Sequence, residues 1–310
     1  METQKILVTG GKGFIGTNLV SELERRGHDV WVCDIGQSEG EKYIRCDVGK
    51  YRQVERMFDG ADRDFDYVYH LAAEYGRWNG EDYYENLWMT NTIGTKHILR
   101  IQEKKKFRMI FFSSAEVYGD YEGRMSEDVM DTIPIKQMND YAMTKWVGEM
   151  QCLNSAEMFG TETVRVRPVN AYGPHEPSSP YRGVIPMFIY RALHDLPYTV
   201  YGGHKRIFDY VEDTCRTFAN IVDNFIPGEV YNVGGRPEWE TDIKRVSDII
   251  LEYLGKDDSL VTYKEGEPFT TKVKHMDFSK AVRDLKHDPK VPIEEGIPKA
   301  IEWMKKEYGL

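Results

Sequence analysis

The chain has 310 residues, long enough for one large domain or two ordinary ones, each with a sizeable core. Its 51 acidic side chains outnumber 41 basic ones, and the formal charge of −10 argues against general affinity for nucleic acid or an anionic membrane. Four cysteines, Cys33, Cys46, Cys152 and Cys215, are scattered without a CxxC pair or Cys/His ligand spacing, which argues against a disulfide framework or a metal site and suits a reducing cytoplasm.

The N-terminal "METQKILVTGG" runs straight into a strand pattern with no signal peptide, and no apolar run approaches the roughly 20 residues needed to cross a bilayer. A soluble, cytoplasmic protein is therefore expected. In chain order, "KILVTG" (5–10) reads as a strand, "GTNLVSELERRG" (16–27) as a helix closed by Gly27, and "DVWVCD" (29–34) as a second strand. "KYIRC", "FDYVYHLAA" (65–73), "RMIFFSS" (108–114) and "TETVRVRP" (161–168) follow as strands, with helices expected over 86–103 and 140–158. Short buried strands alternating with helices predict an α/β fold, a Rossmann-type doubly wound parallel sheet.

After residue 167 the texture changes to the Pro-, Gly- and Ser-rich "RPVNAYGPHEPSSPYRG". The boundary is placed there, with 1–167 as a dinucleotide-binding domain and 168–310 as a smaller α+β lobe that may return a strand to the first sheet. In that lobe a helix is expected at about 184–195, then the strand "YTVYGG", a helix near 213–225, the strand "EVYNVGG" and two later helices.

"TGGKGFIG" (9–16) joins the first strand to the first helix and puts Gly10, Gly13 and Gly16 where a dinucleotide fold needs them. Glycine permits the tight turn and the close backbone approach to a pyrophosphate, while the helix N-terminus offers unpaired N–H groups to the anion. Asp34, ending the second strand, suits the ribose hydroxyls of NAD and would repel the 2′-phosphate of NADP. Asp47 and Val48, after the third strand, are candidates for the adenine or for a plain strand-end turn.

"DYAMTKWVGE" (140–149) places Tyr141 and Lys145 four apart, on one face of a helix. A second YxxxK, Tyr201 to Lys205, contains Gly202 and Gly203 and is not expected to be helical. A phenol titrates near ~10, so as a base at neutral pH it needs a cation beside it, which Lys145 supplies. Tyr141 then takes the proton of an alcohol, with Ser114, at the tip of the "FFSS" strand, bonded to the same oxygen.

The set TGxxGFxG, a strand ending in SS followed by xxVYG, YxxxK and "RPVNAYGP" resembles the extended short-chain dehydrogenase/reductases, specifically the nucleotide-sugar epimerases and dehydratases. The likeness runs on through "RIFDYVED" (206–213), "VYNVGG" (230–235) and "MDFSKAVRDL" (276–285). It implies NAD held by Gly10, Gly13, Phe14, Ile15, Gly16 and Asp34, with Leu71, Ala72 and Ala73 along its path and Lys145 on the nicotinamide ribose. It further implies Ser114, Tyr141 and Lys145 as catalytic, Asn170 and Arg206 on the substrate diphosphate, Tyr201 near the base, Arg182 as a further substrate contact, and a homodimer. Where relatives carry a Ser-containing loop and a Pro-x-x-Tyr turn, this chain has "EYGRWNGEDYYENLWMTN" (74–91), in which Glu74, Tyr75, Arg77 and Trp78 could wall the sugar or pack a lid.

The shared first step in this family is oxidation of the hexose C4 hydroxyl to a 4-keto sugar. Reduction from the other face gives a 4-epimer; removal of the C5 proton by Glu116 gives a 4,6-dehydration; a uronate would instead lose CO2, with Lys272, Lys274 or His275 as its basic contact; and release of the 4-keto sugar is a further outcome. Ala115, where several dehydratases have Asp or Ser, tilts the reading slightly towards 4-epimerisation. The non-enzymatic alternative is an NAD-sensing regulator, against which the intact Ser114, Tyr141 and Lys145 argue.

Overall fold

The computed structural model describes residues 2–267, 270, 271 and 273–310. A seven-stranded sheet runs through it: β1 (Lys5–Thr9), β2 (Asp29–Asp34), β3 (Tyr43–Arg45), β4 (Tyr67–His70), β5 (Arg108–Phe112), β6 (Thr163–Pro168) and β7 (Val230–Val233). Their spatial order is β7-β6-β5-β4-β1-β2-β3, and every adjacent pair is parallel. The order reverses beside β1, so the connections that leave β1 and β4 run to opposite faces of the sheet and open the crevice in which doubly wound sheets take a ligand. The last strand, β7, comes from the C-terminal half and pairs with β6 from Val230 opposite Arg165.

Because both faces are covered, the strands carry apolar residues on both sides: Ile6 and Val8 join one core layer and Leu7 the other. The first layer contains α1 (Phe14–Arg25) and α6 (Val211–Ala219); the second contains α2 (Tyr51–Phe58), α3 (Thr95–Lys105) and part of α4 (Asp140–Phe159). A separate cluster of Phe188, Ile189, Val200, Val246, Ile250 and Ile297 holds the C-terminal lobe together, on α5 (Val184–Leu193), α7 (Ile243–Leu254), α8 (Ile293–Tyr308) and the strand Tyr198–Gly202.

The helix expected over 86–103 is broken in three. A short helix, Tyr84–Trp88, passes into a π-helical turn at Met89–Gly94 before α3 begins. Gly94 lies against Val48, where an added Cβ would come within 2.8 Å of its side chain, and wide turns of this kind cluster at functional sites. The helix expected near 213–225 is shorter and earlier, Val211–Ala219, and Tyr201 lies in an extended strand, Tyr198–Gly202, as its glycine neighbours implied.

Candidate active site

All the residues singled out from the sequence as cofactor or substrate contacts line one cavity of about 840 Å³ at the C-terminal ends of the strands. It extends from Gly10 and Asp34 past Asp47, Val48, Leu71, Ala72 and Ala73 to Ser114, Tyr141 and Lys145, and on to Asn170, Arg182, Tyr201 and Arg206 in the second lobe.

The loop after β1 fits a dinucleotide on the chain's own geometry. Gly10 has φ 70° and sits so close to the β4 end that a Cβ would lie 2.8 Å from the Ala72 nitrogen; at Gly16 a Cβ would meet the Gly10 carbonyl at 2.2 Å. The N-cap of α1 is Gly13, with no side-chain cap, so the first-turn N–H groups of Phe14, Ile15 and Gly16 are left to an anion. Asp34 accepts hydrogen bonds from the backbone N–H of Lys12 (3.0 Å) and of Ile35 (2.8 Å), which fixes its carboxylate beside the loop.

At the other end of the crevice, Asn139 caps α4 by accepting from the Ala142 N–H at 2.8 Å, and Trp88 donates to Asp140 at 2.9 Å. The helix thereby starts at a fixed place and carries Tyr141 and Lys145 to the tip of β5. Lys145 Nζ donates to the Phe112 carbonyl at 2.8 Å and lies 5.8 Å from the centre of the Tyr141 ring. Burial alone brings the Lys145 ammonium down to about 7. Burial also raises the Tyr141 phenol, with Tyr75 adding to the rise, and a hydrogen bond with Ser114 opposes it. Tyr141 thus bonds with Ser114 and has the Lys145 ammonium near its ring, and all three side chains line the cavity.

Behind them is a buried ionic network with no signal in the sequence motifs. Glu149, two turns on from Tyr141, accepts from Ser113 Oγ (2.5 Å) and from both Arg167 Nε (2.9 Å) and Nη2 (2.8 Å), while Arg167 also donates to the Tyr118 hydroxyl at 2.8 Å. Burial would raise the Glu149 carboxyl, but Arg167, Arg165 and Ser113 outweigh it and keep it ionised. The network ties α4 to β5 and β6, the elements that present Tyr141 and Ser114.

Glu116 follows Ser114 in a single 3-10 turn, Ala115–Tyr118, whose cap is Ser114 Oγ accepting from the Glu116 N–H at 3.1 Å. Its carboxylate meets Lys274 Nζ at 2.6 Å, and Lys274 is buried. Burial would raise Glu116, but Lys274, Arg77 and Arg206 together hold it down at about 2. Of the described basic candidates in this segment, Lys274 meets the carboxylate and His275 is exposed on a short strand; Lys272 lies outside the described residues.

The 74–91 segment forms a wall of the same cavity, to which Glu74, Tyr75, Arg77 and Trp78 contribute. Asn91, in the π-turn, clamps it by accepting from the Glu74 N–H at 2.8 Å and donating to the Glu74 carbonyl at 3.0 Å. Gly76, at φ 104°, passes the Tyr181 carbonyl where a Cβ would lie 2.5 Å away. Tyr75 stands edge-on to Tyr141, ring centres 5.7 Å apart, with the Arg182 guanidinium 5.1 Å from its own ring centre, and Arg77 pairs with Glu267 at 2.9 Å.

The model of the NAD dependent epimerase/dehydratase family matches residues 6–234. A UDP-N-acetyl-alpha-D-glucosaminuronate decarboxylase from Bacillus cytotoxicus is 32% identical, covering 97% of this chain and 98% of that protein. A dTDP-glucose 4,6-dehydratase from Neisseria meningitidis is 28% identical over 97% of this chain and 93% of its own. Among solved structures, a UDP-glucuronic acid 4-epimerase from Bacillus cereus, in complex with UDP-glucuronic acid and NAD, superposes with a TM-score of 0.85 at 26% identity, over 98% of this chain and 100% of that one. No helix among the described residues is long and apolar enough to cross a membrane. With its glycine loop, Asp34 and a Ser, Tyr and Lys set in one crevice, this chain is an enzyme of the NAD dependent epimerase/dehydratase family, and nucleotide sugars are the substrates of its relatives.

Proposed function

We propose that the protein is a nucleotide-uronate decarboxylase, acting on a nucleotide sugar whose C6 is a carboxylate. The observation that carries this reading is the placement of Lys274, buried against Glu116 in the cavity wall, with Arg77 and Arg206 close enough to depress both partners' titration. Lys274, Arg77 and Arg206 together bring positive charge to this part of the cavity wall, a setting that suits an anionic group of the substrate. The same ion pair makes Glu116 a weak base for a C5 proton, which counts against 4,6-dehydration, as does Ala115.

In this reading the first-turn N–H groups of α1, Asp34 and Lys145 hold NAD, which supplies the hydride acceptor and donor for sugar C4. Tyr141 takes the C4 hydroxyl proton, with Ser114 bonded to the same oxygen and the Lys145 ammonium steadying the phenolate. The resulting C4 ketone is β to the C6 carboxylate. The C5–C6 bond then breaks, CO2 leaves, and its electron pair moves onto C5 and the C4 oxygen, where Ser114 and Tyr141 donate hydrogen bonds. A proton delivered to C5 from the Glu116 and Lys274 side restores the ketone, and Tyr141 returns its proton to the C4 oxygen as the alcohol re-forms.

The test is incubation with UDP-glucuronate, UDP-2-acetamido-2-deoxyglucuronate and their dTDP, GDP and CDP counterparts labelled with 13C at C6, in deuterated water. Labelled CO2 and a nucleotide pentose carrying one deuterium at C5 are expected. A C4 epimer with its carboxylate intact would instead make the protein a uronate 4-epimerase, and a 4-keto-6-deoxy sugar from a neutral hexose would make it a dehydratase.

A further inference from the structure

Glu176 is a pocket residue that the chemistry above leaves unused. It follows Gly173–His175, a turn held to α1 by Asn18, whose Nδ2 donates to the Pro174 carbonyl at 2.9 Å. His175 is left-handed (φ 69°), a conformation that non-glycine residues adopt at a cost, and the Glu176 N–H closes the turn on the Gly173 carbonyl at 3.3 Å. The side chain this turn delivers is 4% exposed and lines the cavity. Its Oε2 is buried without a hydrogen-bond partner among the described residues.

A buried carboxyl oxygen left unsatisfied is destabilising, so it asks for a partner. The groups that act on it are Tyr75, against the reacting Tyr141, and Arg182, over the Tyr75 ring; no ion pair forms between Glu176 and Arg182 among the described residues. Burial lifts the carboxyl to about 8, with Arg182 opposing, so at neutral pH it is an uncharged group that can donate as well as accept. A phosphate or carboxylate has better partners across the cavity in Lys274 and Arg206, and the neighbourhood of Tyr75 and Tyr141 is the sugar end.

We propose that the Glu176 carboxyl determines specificity in the sugar subsite by hydrogen-bonding an uncharged oxygen on the sugar, a ring hydroxyl or an acylamino carbonyl. This rests on the nucleotide-sugar reading but on none of the possible fates of the 4-keto sugar. A side chain of the same shape that still donates, glutamine, keeps the contact, whereas leucine leaves the sugar oxygen unpaired in a dry site.

The experiment is calorimetric titration of the NAD-loaded wild type, Glu176→Gln and Glu176→Leu with the nucleotide sugar of the panel that binds wild type most tightly, and with its nucleoside diphosphate alone. The expected result is a roughly 10-fold or greater rise in Kd for the sugar nucleotide in Glu176→Leu, a change within about 3-fold in Glu176→Gln, and nucleoside diphosphate affinity unaltered in both. If the acetamido sugar loses affinity and its hydroxyl counterpart does not, the partner is the acylamino carbonyl; the reverse assigns a hydroxyl. Equal losses for the sugar nucleotide and the bare diphosphate, or none for either, would overturn the proposal. Failure of CO2 release in the earlier test leaves this comparison intact, since it reads binding alone.

Discussion

Lys274 and Glu116 lie 158 positions apart in the chain and meet at 2.6 Å inside the cavity. The pair brings the C-terminal lobe to the tip of β5 and sets the charge at one end of the cavity. Lys274→Met is expected to raise KM for a nucleotide uronate by at least about 10-fold, with little change for the neutral hexose analogue as a competitive inhibitor. Steady-state kinetics and inhibition constants read the two arms. Equal weakening of both ligands would mean that Lys274 supports the lobe and not the carboxylate.

The same pair makes acid stability depend on Glu116. Its carboxyl lies near 2 in the folded chain against an ordinary 4.5, so the stabilisation is complete above pH 4.5 and is lost as pH falls from 4.5 through 2. With a quarter of the side chain open to solvent, the amount is roughly 2 kcal/mol. Glu116→Gln should therefore be less stable than wild type at pH 7 in urea unfolding, and the gap should close towards pH 2. A gap that stays constant with pH would show that the ion pair contributes nothing to it.

Much of this site was legible in the chain, for a physical reason. The glycine loop, Asp34, Ser114, Tyr141 and Lys145 belong to local units, a strand end or one helical turn, whose geometry follows from spacing. Lys274 was legible only as one of three basic residues, because which one reaches Glu116 depends on how a distant segment folds back. Asn91 gave no signal, since a π-turn has no characteristic hydrophobic period and its clamp on Glu74 spans 17 positions. Glu149 was equally silent: it has the place of an ordinary helical glutamate, and only the packing of β6 shows that Arg167 meets it.

Tyr141→Phe removes the hydroxyl proposed to exchange a proton with the sugar and leaves the ring against Tyr75. NADH formation on mixing with the nucleotide sugar should fall by about 10²–10⁴, with NAD retention unchanged. Undiminished growth of the NADH absorbance would reassign the base.

Asp34 predicts cofactor choice. Held by two backbone N–H groups beside the glycine loop, its carboxylate favours ribose hydroxyls and opposes a 2′-phosphate. Asp34→Ala should weaken NAD binding by about 10-fold and strengthen NADP binding, read by fluorescence titration. If the NAD to NADP ratio is unmoved, the adenosine ribose lies elsewhere.

Lys145 sets function against stability. Its ammonium is 5% exposed, has one backbone carbonyl partner and lies near 7 instead of 10.5, so between those values the unfolded chain binds more protons than the folded one. Stability gained from this group is therefore greatest above pH 10.5 and is lost as pH falls towards 7, by roughly 4 kcal/mol from burial alone. Lys145→Met fills the same space without a charge and gives up the bond to the Phe112 carbonyl, so at pH 7 it should be more stable than wild type by about 2 kcal/mol, with that advantage shrinking as pH approaches 10.5. Its hydride transfer should be lost, because the Tyr141 phenolate then has no cation beside it. Thermal unfolding of both proteins without nucleotide across pH 7–10 measures the difference; a Lys145→Met variant that is less stable at pH 7 would show that the ammonium is satisfied in place.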